Sequence, residues 1–539
     1  MSRSSIRSRR RGQRVVGFAV AVAFMAALFI GVVAAGCGGE EGDGGGTEPT
    51  ATAGAIKRGG VLRIGMQAGN GQWDPVLMAG AIGDDALQAQ VLENLCDLAP
   101  DFSVSPALAA SWETEDAKVW RFTLQEGVTF TNGEPFTSED VVYSFERLRS
   151  KELGSPMADI YANIEDVVAE DPTHVTFKLK APDSEFPASL TDYRAKMLCK
   201  SVADPMKELV GTGPFMLESF AAEDRAVLKR NPDYWGKDED GNQLPYLDGI
   251  EFVYSPDIAG QIEGLQGGSL DFVGGLTAEQ KQAVEGNSNL KVLETDTNYC
   301  FELQIRCDEG PGKELAFRQA LMAGTDRQAI VDLVAPGVGV PGNGTIVGPA
   351  YSAYYLDEQV SYDPERAKQL LADAGFADGA KIKLVAQTQD PVPAIATAWQ
   401  AQMKKIGVDV AIQQVPTDVY YAEEGEDNWY KAQFSFVDWG TRASPITYFK
   451  LALTSDAPWN YSRWKNEEFD TLVDRIPSAV DEDERAELYK EAQRILQDQV
   501  PMINFIINKA VAGLAGNLEG VTLHPDYVLT QFKTAHFAE

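Results

Sequence analysis

The stretch from Asp363 to Val415 alternates helix and strand in a way that few folds accommodate. "DPERAKQLLADAGF" spaces its apolar residues three and four apart and ends near Gly375, as an amphipathic helix does. "AKIKLVAQT" reads as a strand, "AIATAWQAQMKKIG" as a helix and "VDVAIQQV" as a second strand. Such a β-α-β run implies parallel strands joined by a crossover helix, which commits this part of the chain to an α/β sheet.

Upstream the pattern changes. In "VWRFTLQEGVTF", Trp120, Phe122 and Leu124 fall on one side and Arg121, Thr123 and Gln125 on the other; "HVTFKLK" repeats this with Val175, Phe177 and Leu179. Both read as half-buried strands. Between them "TSEDVVYSFERLRS" opens on a Ser/Thr cap with early acids, the signature of a helix start. No internal repeat interrupts the rest.

The N-terminus obeys different rules. "MSRSSIRSRRRGQR" holds six arginines and no acid, and no residue from Val15 to Ala35 is charged. A basic head, an apolar stretch and a small-residue border describe an export signal over residues 1–36. Ala34-Ala35-Gly36-Cys37 resembles the lipobox of bacterial lipoproteins, in which the cysteine is lipidated, although its first position is alanine where leucine is usual. An uncleaved membrane helix is the alternative, since about 20 apolar residues span a bilayer. Either reading puts the chain beyond Cys37 outside the cytoplasm, anchored at the membrane face. Residues 37–57 are rich in Gly, Glu and Thr and read as a flexible tether. The chain beyond the tether is long enough for two or three domains.

Removing the six signal arginines takes the formal net charge from −33 to −39. That surface repels phosphate backbones, and without a basic stripe to offset it nucleic acid is excluded as a partner. Besides Cys37 there are four cysteines, Cys96, Cys199, Cys300 and Cys307. An even number outside the cytoplasm points to disulfides, with three possible pairings. The expected pairs are Cys96–Cys199 and Cys300–Cys307. "NYCFELQIRC" reads as a strand, which would hold its two cysteines about 23 Å apart, so the second pair requires the chain to turn back. With no CxxC and three scattered histidines, no metal or other cofactor is expected. No GxSxG, GxxxxGK[ST] or HExxH occurs, and the reading is of a protein that is not an enzyme.

Several segments together resemble one family. "PALAASWETEDAKVWRFTLQEGVTFTNGEPFTSEDVVYSFERL", "GTGPFMLESF", "LKRNPDYWG", "LPYLDGIEF", "LQGGSLDF", "AFRQALMAGTDRQAIVDLV", "YDPERAKQLLADAGF" and "QVPMINF" are similar, in this order, to the solute-binding proteins of ABC importers that include the oligopeptide- and dipeptide-binding proteins. The resemblance implies a two-lobed α/β periplasmic-binding-protein fold of type II, with an extra inserted α/β domain and two hinge crossings. Carried onto this chain, lobe one is 58–85, 212–297 and 505–539, the inserted domain 86–211, and lobe two 298–504. It also implies a monomeric receptor that encloses a peptide or small solute between its lobes and presents it to a membrane permease. Other solutes on the same fold, such as an oligosaccharide or an opine, and a ligand-sensing receptor are the alternatives.

Four of the nine tryptophans, Trp429, Trp439, Trp459 and Trp464, fall within 36 residues. The family segment that lines the cleft corresponds to "VDWGTRASPITYF". Trp439, Asp438, Thr441, Arg442, Trp459, Asn460 and Tyr461 are the candidate ligand contacts. Peptide-binding members usually carry an aspartate four residues before the segment's proline, and it pairs with the peptide amine. Four residues before Pro445 stands Thr441, and Ser444 stands where an acid is common. Asp438 lies three residues from the expected place; it either takes the role through a shifted loop, or the ligand has no free amine. Arg442 suits a carboxylate or a sugar hydroxyl.

Overall fold

A computed structural model of the protein describes residues 56–77, 81–422 and 428–538. The expected export signal, Cys37 and most of the expected tether lie outside the described residues. Among the described residues no helix is long and apolar enough to cross a membrane.

The β-α-β unit forms as its periodicity implies. Asp363 caps the helix Pro364–Asp373 by accepting from the Arg366 N–H. Gly375, at φ +85°, takes the left-handed turn after it. Strands Ala380–Gln387 and Val408–Val415 pair in parallel across the crossover helix Val392–Lys405. Trp399 of that helix is fully buried, its indole N–H donating to Thr325 Oγ1 at 3.0 Å.

These strands enter one large sheet, whose two longest members are Leu290–Ile305 and Met502–Ala515, antiparallel to each other. Their register shifts between Asp296 and Cys300. Toward Leu290 the long pair is flanked by Phe272–Gly274, Val61–Met66, Gly249–Tyr254, Arg225–Arg230 and Phe215–Ala221. Toward Ile305 it is flanked by Phe434–Trp439, Ala380–Gln387 and Val408–Val415. The two long strands are thus the covalent crossings between two α/β lobes, and the register shift marks where they pass.

A third body has its own four-stranded antiparallel sheet, Ala109–Glu113, Val119–Leu124, His174–Leu179 and Ile164–Asp171. Its helix Ser138–Leu148 begins at a capping box between Thr137 and Asp140. Trp120, Phe122, Leu124, Val175, Phe177 and Leu179 point into one core with Phe145 and Phe186, so the alternation in the sequence marks the buried face correctly. Asn132-Gly133 makes the expected turn, with Gly133 at φ +88°.

The expected disulfides are absent: Cys96, Cys199, Cys300 and Cys307 are all free. Cys96 and Cys199 both lie in the core of the small-sheet body, where the Cys199 sulfur meets Asn132 Nδ2 at 3.6 Å and Ser201 Oγ at 3.2 Å. Cys300 and Cys307 cannot meet, because the strand does not turn back; it runs on to Ile305, and the Cys307 N–H then pairs with the Ser462 carbonyl. That extended path leaves their Cα atoms about 20 Å apart, against the roughly 7 Å a bridge needs. Burial raises the Cys300 thiol pKa far above its usual value and that of Cys307 to about 11, so both stay protonated.

Candidate ligand-binding site

Strand Phe434–Trp439 presents alternate residues to two cores. Phe434 and Phe436 enter the core shared with Trp399, while Val437 and Trp439 enter the one around Tyr448 and Tyr489. Asp438 continues the phenylalanine row. The strand lies parallel to Ala380–Gln387, so Gln387 and Asp438 both stand at carboxyl ends. From Ala380–Gln387 the chain winds outward to Val408–Val415, then returns to the opposite flank as Phe434–Trp439. The strand order reverses between Gln387 and Asp438, and such a switch point leaves a crevice at the strands' carboxyl edge. Trp439 pairs with Cys300, beside the register shift, so these carboxyl ends lie next to the two crossing strands.

The Asp438 carboxylate is half-buried and held by neutral donors. Tyr421 Oη donates at 2.7 Å, Gln387 Nε2 at 3.1 Å and Tyr299 Oη at 3.5 Å. Burial first, and then the Asp438 charge, raises both tyrosine pKa values, which keeps them donors. Gln387 is 2% exposed and its Oε1 has no partner.

On the strand's other face Trp439 is buried, its indole N–H donating to Glu302 Oε1 at 2.8 Å. Its ring meets Trp459 at 5.9 Å, Tyr461 at 6.4 Å and Tyr448 edge-on at 5.5 Å. Trp459 is 42% exposed and forms the outer layer. Trp439, Trp459 and Tyr461 therefore come together as one aromatic wall. Thr441 Oγ1 accepts from the Asn298 N–H of the first crossing strand at 3.3 Å. The Arg442 backbone is fixed at both ends, its N–H donating to Tyr448 Oη at 3.0 Å and its carbonyl accepting from Tyr351 Oη at 2.6 Å. Its side chain is exposed. Asn460 turns inward instead, donating to the Thr454 and Trp464 carbonyls and accepting from Ser462 Oγ. Its amide is used within its own loop, away from Asp438.

Sequence reasoning missed Gln387, Tyr421, Tyr299 and Glu302. The last carried a signal: in a strand whose alternate residues are buried on both faces, Glu302 and Gln304 are consecutive polar side chains in one row. Glu302 is 1% exposed, and desolvation pushes its pKa up to about 8, partly opposed by hydrogen bonds from Trp439 and Gln304. Its Oε2 has no partner, nor does Oδ1 of Asn504 directly across on the second crossing strand. Among the described residues no cluster of His, Cys, Asp or Glu is arranged to hold a metal ion.

Comparison with known proteins agrees with this architecture. The dipeptide-binding protein of Escherichia coli is 26% identical over 465 residues, covering 78% of this chain and 84% of its own. The glutathione-binding protein GsiB of Salmonella typhimurium is 25% identical over 455 residues, covering 82% and 88%. The structure of HbpA2 from Haemophilus parasuis superimposes with a TM-score of 0.77 at 23% identity, over 89% of this chain and all of that one. The fold is thus the two-lobed type II periplasmic-binding-protein fold, with its inserted α/β domain and two hinge crossings. Residues 103–461 match the model of the bacterial extracellular solute-binding proteins, family 5. That family binds solutes outside the cytoplasm for transport and is not one of enzymes. The chain belongs to family 5 of the bacterial extracellular solute-binding proteins.

Proposed function

We propose that the protein is a lipid-anchored receptor of an ABC importer that captures a peptide or similar small solute between its lobes and delivers it to a membrane permease. Cys37 carries the anchor in this reading, and residues 37–57 the tether. Lobe one comprises 58–85, 212–297 and 505–539, the inserted domain 86–211 and lobe two 298–504. The observation that carries the reading is a carboxylate without an ionic partner: among the described residues Asp438 accepts from two tyrosines and a glutamine and forms no ion pair. Arg442, exposed on the loop that follows, acts on the Asp192 carboxyl without a direct ion pair among the described residues. A zwitterion offers Asp438 the cation it lacks and Arg442 an anion in direct contact. An ammonium at Asp438 and a carboxylate at Arg442, with apolar groups on Trp459, would bury a small peptide without an unpaired charge. The relatives named for dipeptide and glutathione binding support that class.

A second reading is a solute without an amine, such as an oligosaccharide or an opine, or a ligand-sensing receptor on the same fold. It is favoured by Thr441 at the position where peptide-binding members carry their aspartate. Native mass spectrometry of the protein from its membrane separates the two. A co-purified mass matching a di- or tripeptide is the expected result; a sugar or opine mass refutes the peptide reading.

A further inference from the structure

Two side chains of the small-sheet body, Glu185 and Asp192, and Phe102 from the two-stranded hairpin Cys96–Leu98/Val104–Pro106 converge on one loop of the second lobe, the Gly440–Pro445 loop that carries Arg442. Phe102 packs its ring on Tyr351 with centroids 4.7 Å apart, and Tyr351 Oη donates to the Arg442 carbonyl. Glu185 accepts a hydrogen bond from Tyr489 Oη, which lies 3.2 Å from Ser444 Oγ, so the carboxylate reaches the loop through the Tyr489 hydroxyl. Asp192 lies close enough for the Arg442 charge to act on its carboxyl. Beside these, the Ser184 N–H donates to the Pro477 carbonyl at 2.8 Å and its hydroxyl to the Ile476 carbonyl at 3.2 Å.

The two bodies share no strand. These contacts are therefore a non-covalent link between the small-sheet body and the second lobe, distinct from the two covalent crossings that join the lobes to each other. The loop needs it, because it has no regular secondary structure. Within the second lobe Tyr448 ties the Arg442 N–H to the Gly440 carbonyl, and Ser444 Oγ accepts from the Ile446 N–H. Ser444 and Tyr489 are both buried. Without Glu185 the Tyr489 hydroxyl would keep only Ser444 among the described residues.

We propose that Glu185 is a positioning residue that holds the Gly440–Pro445 loop, and with it Arg442, from outside the lobe to which the loop belongs. The meaning of the loop as a ligand contact rests on the function proposed above; its anchoring by Glu185 does not. A shift of the inserted body against the second lobe then reaches Arg442 directly, through Glu185 and Ser444 on one side and Phe102 and Tyr351 on the other.

Hydrogen–deuterium exchange of the whole protein without ligand tests this. Peptides covering 440–449 are expected to exchange on the order of ten-fold faster in Glu185→Ala, as for the loss of a buried hydrogen bond. Peptides of the 290–305 strand should be unchanged. Glu185→Gln keeps an acceptor for Tyr489 Oη and should restore most of the protection. Tyr489→Phe, which keeps the ring, should reproduce the local acceleration even if the alanine variant folds poorly. Unchanged exchange over 440–449 in both Glu185→Ala and Tyr489→Phe, or equal acceleration over 290–305, overturns the proposal. Because no ligand is present, such a failure would leave the binding function standing.

Discussion

Replacing Glu302 by glutamine should stabilise the protein in alkali and not in acid. The carboxyl sits on the first crossing strand, 1% exposed, with its pKa pushed from 4.5 to about 8 by desolvation. No cation compensates it: the opposing influences are hydrogen bonds from Trp439 and Gln304. The folded state therefore holds a proton between pH 4.5 and 8 that the unfolded chain has released. Stability falls as pH rises through that window, and the full penalty remains above it. At about 1.4 kcal/mol per pH unit, the shift corresponds to on the order of 4 kcal/mol between pH 5 and pH 9. Glutamine keeps an acceptor for the Trp439 indole N–H and brings an amide N–H that can face the unpaired Oδ1 of Asn504. An unfolding entropy near 1 kcal/mol/K, the order for a chain of this length, turns that into a Tm difference of about 4 °C. Thermal melts of both proteins at unit pH steps from 5 to 9 measure it. The gap in Tm should open from near zero at pH 5 and level off above pH 8. A gap independent of pH, or a variant no more stable than wild type at pH 9, would refute the buried, proton-holding carboxyl.

The same geometry sets three further outcomes. Asp438→Asn should lower affinity for the co-purifying solute by at least about ten-fold in calorimetry if that solute carries an amine, because a buried ammonium then loses its only carboxylate; unchanged affinity rejects Asp438 as the amine site. Trp459→Ala should remove most of the ligand-induced change in tryptophan fluorescence while leaving Tm within about 1–2 °C, since the ring is 42% exposed; a persisting signal would move the contact to another tryptophan. Reductant should leave Tm unchanged, because the four described thiols are free; a fall of several degrees, as from a disulfide worth about 2–4 kcal/mol, would show a bridge.

The fold was legible where burial imposes a period. The helix–strand alternation from Asp363 to Val415 and the strands around Trp120 and Val175 form where the apolar spacing puts them, because one face of each meets a core. Cys300 and Cys307 show the opposite case. Counting cysteines suggested a bridge, but the parity of cysteines carries no geometry, whereas the extended run of Leu290–Ile305 does. The site was legible in part. The aromatic wall of Trp439, Trp459 and Tyr461 came from local density of large side chains. Gln387 and Tyr421 did not, because they reach Asp438 only once strands distant in the chain lie side by side.

Asn460 and Asp438 show why proximity in sequence is a weak guide to the cleft. Asn460 stands between two ring residues of the wall, yet an amide in an irregular loop meets the nearest unpaired carbonyls, and it is consumed by Thr454 and Trp464. Asp438 adjoins Trp439, yet strand alternation sends it to the opposite face. The aromatic cluster and the carboxylate of the proposed site thus lie on opposite faces of one strand, and the Arg442 loop is the turn that follows it. A ligand touching both must sit over the end of that strand, where Trp439 pairs with Cys300 beside the register shift of the two crossings. Ligand contact and lobe movement would then act on the same few residues, and a shift of the crossing strands could not leave the ligand's surroundings unchanged.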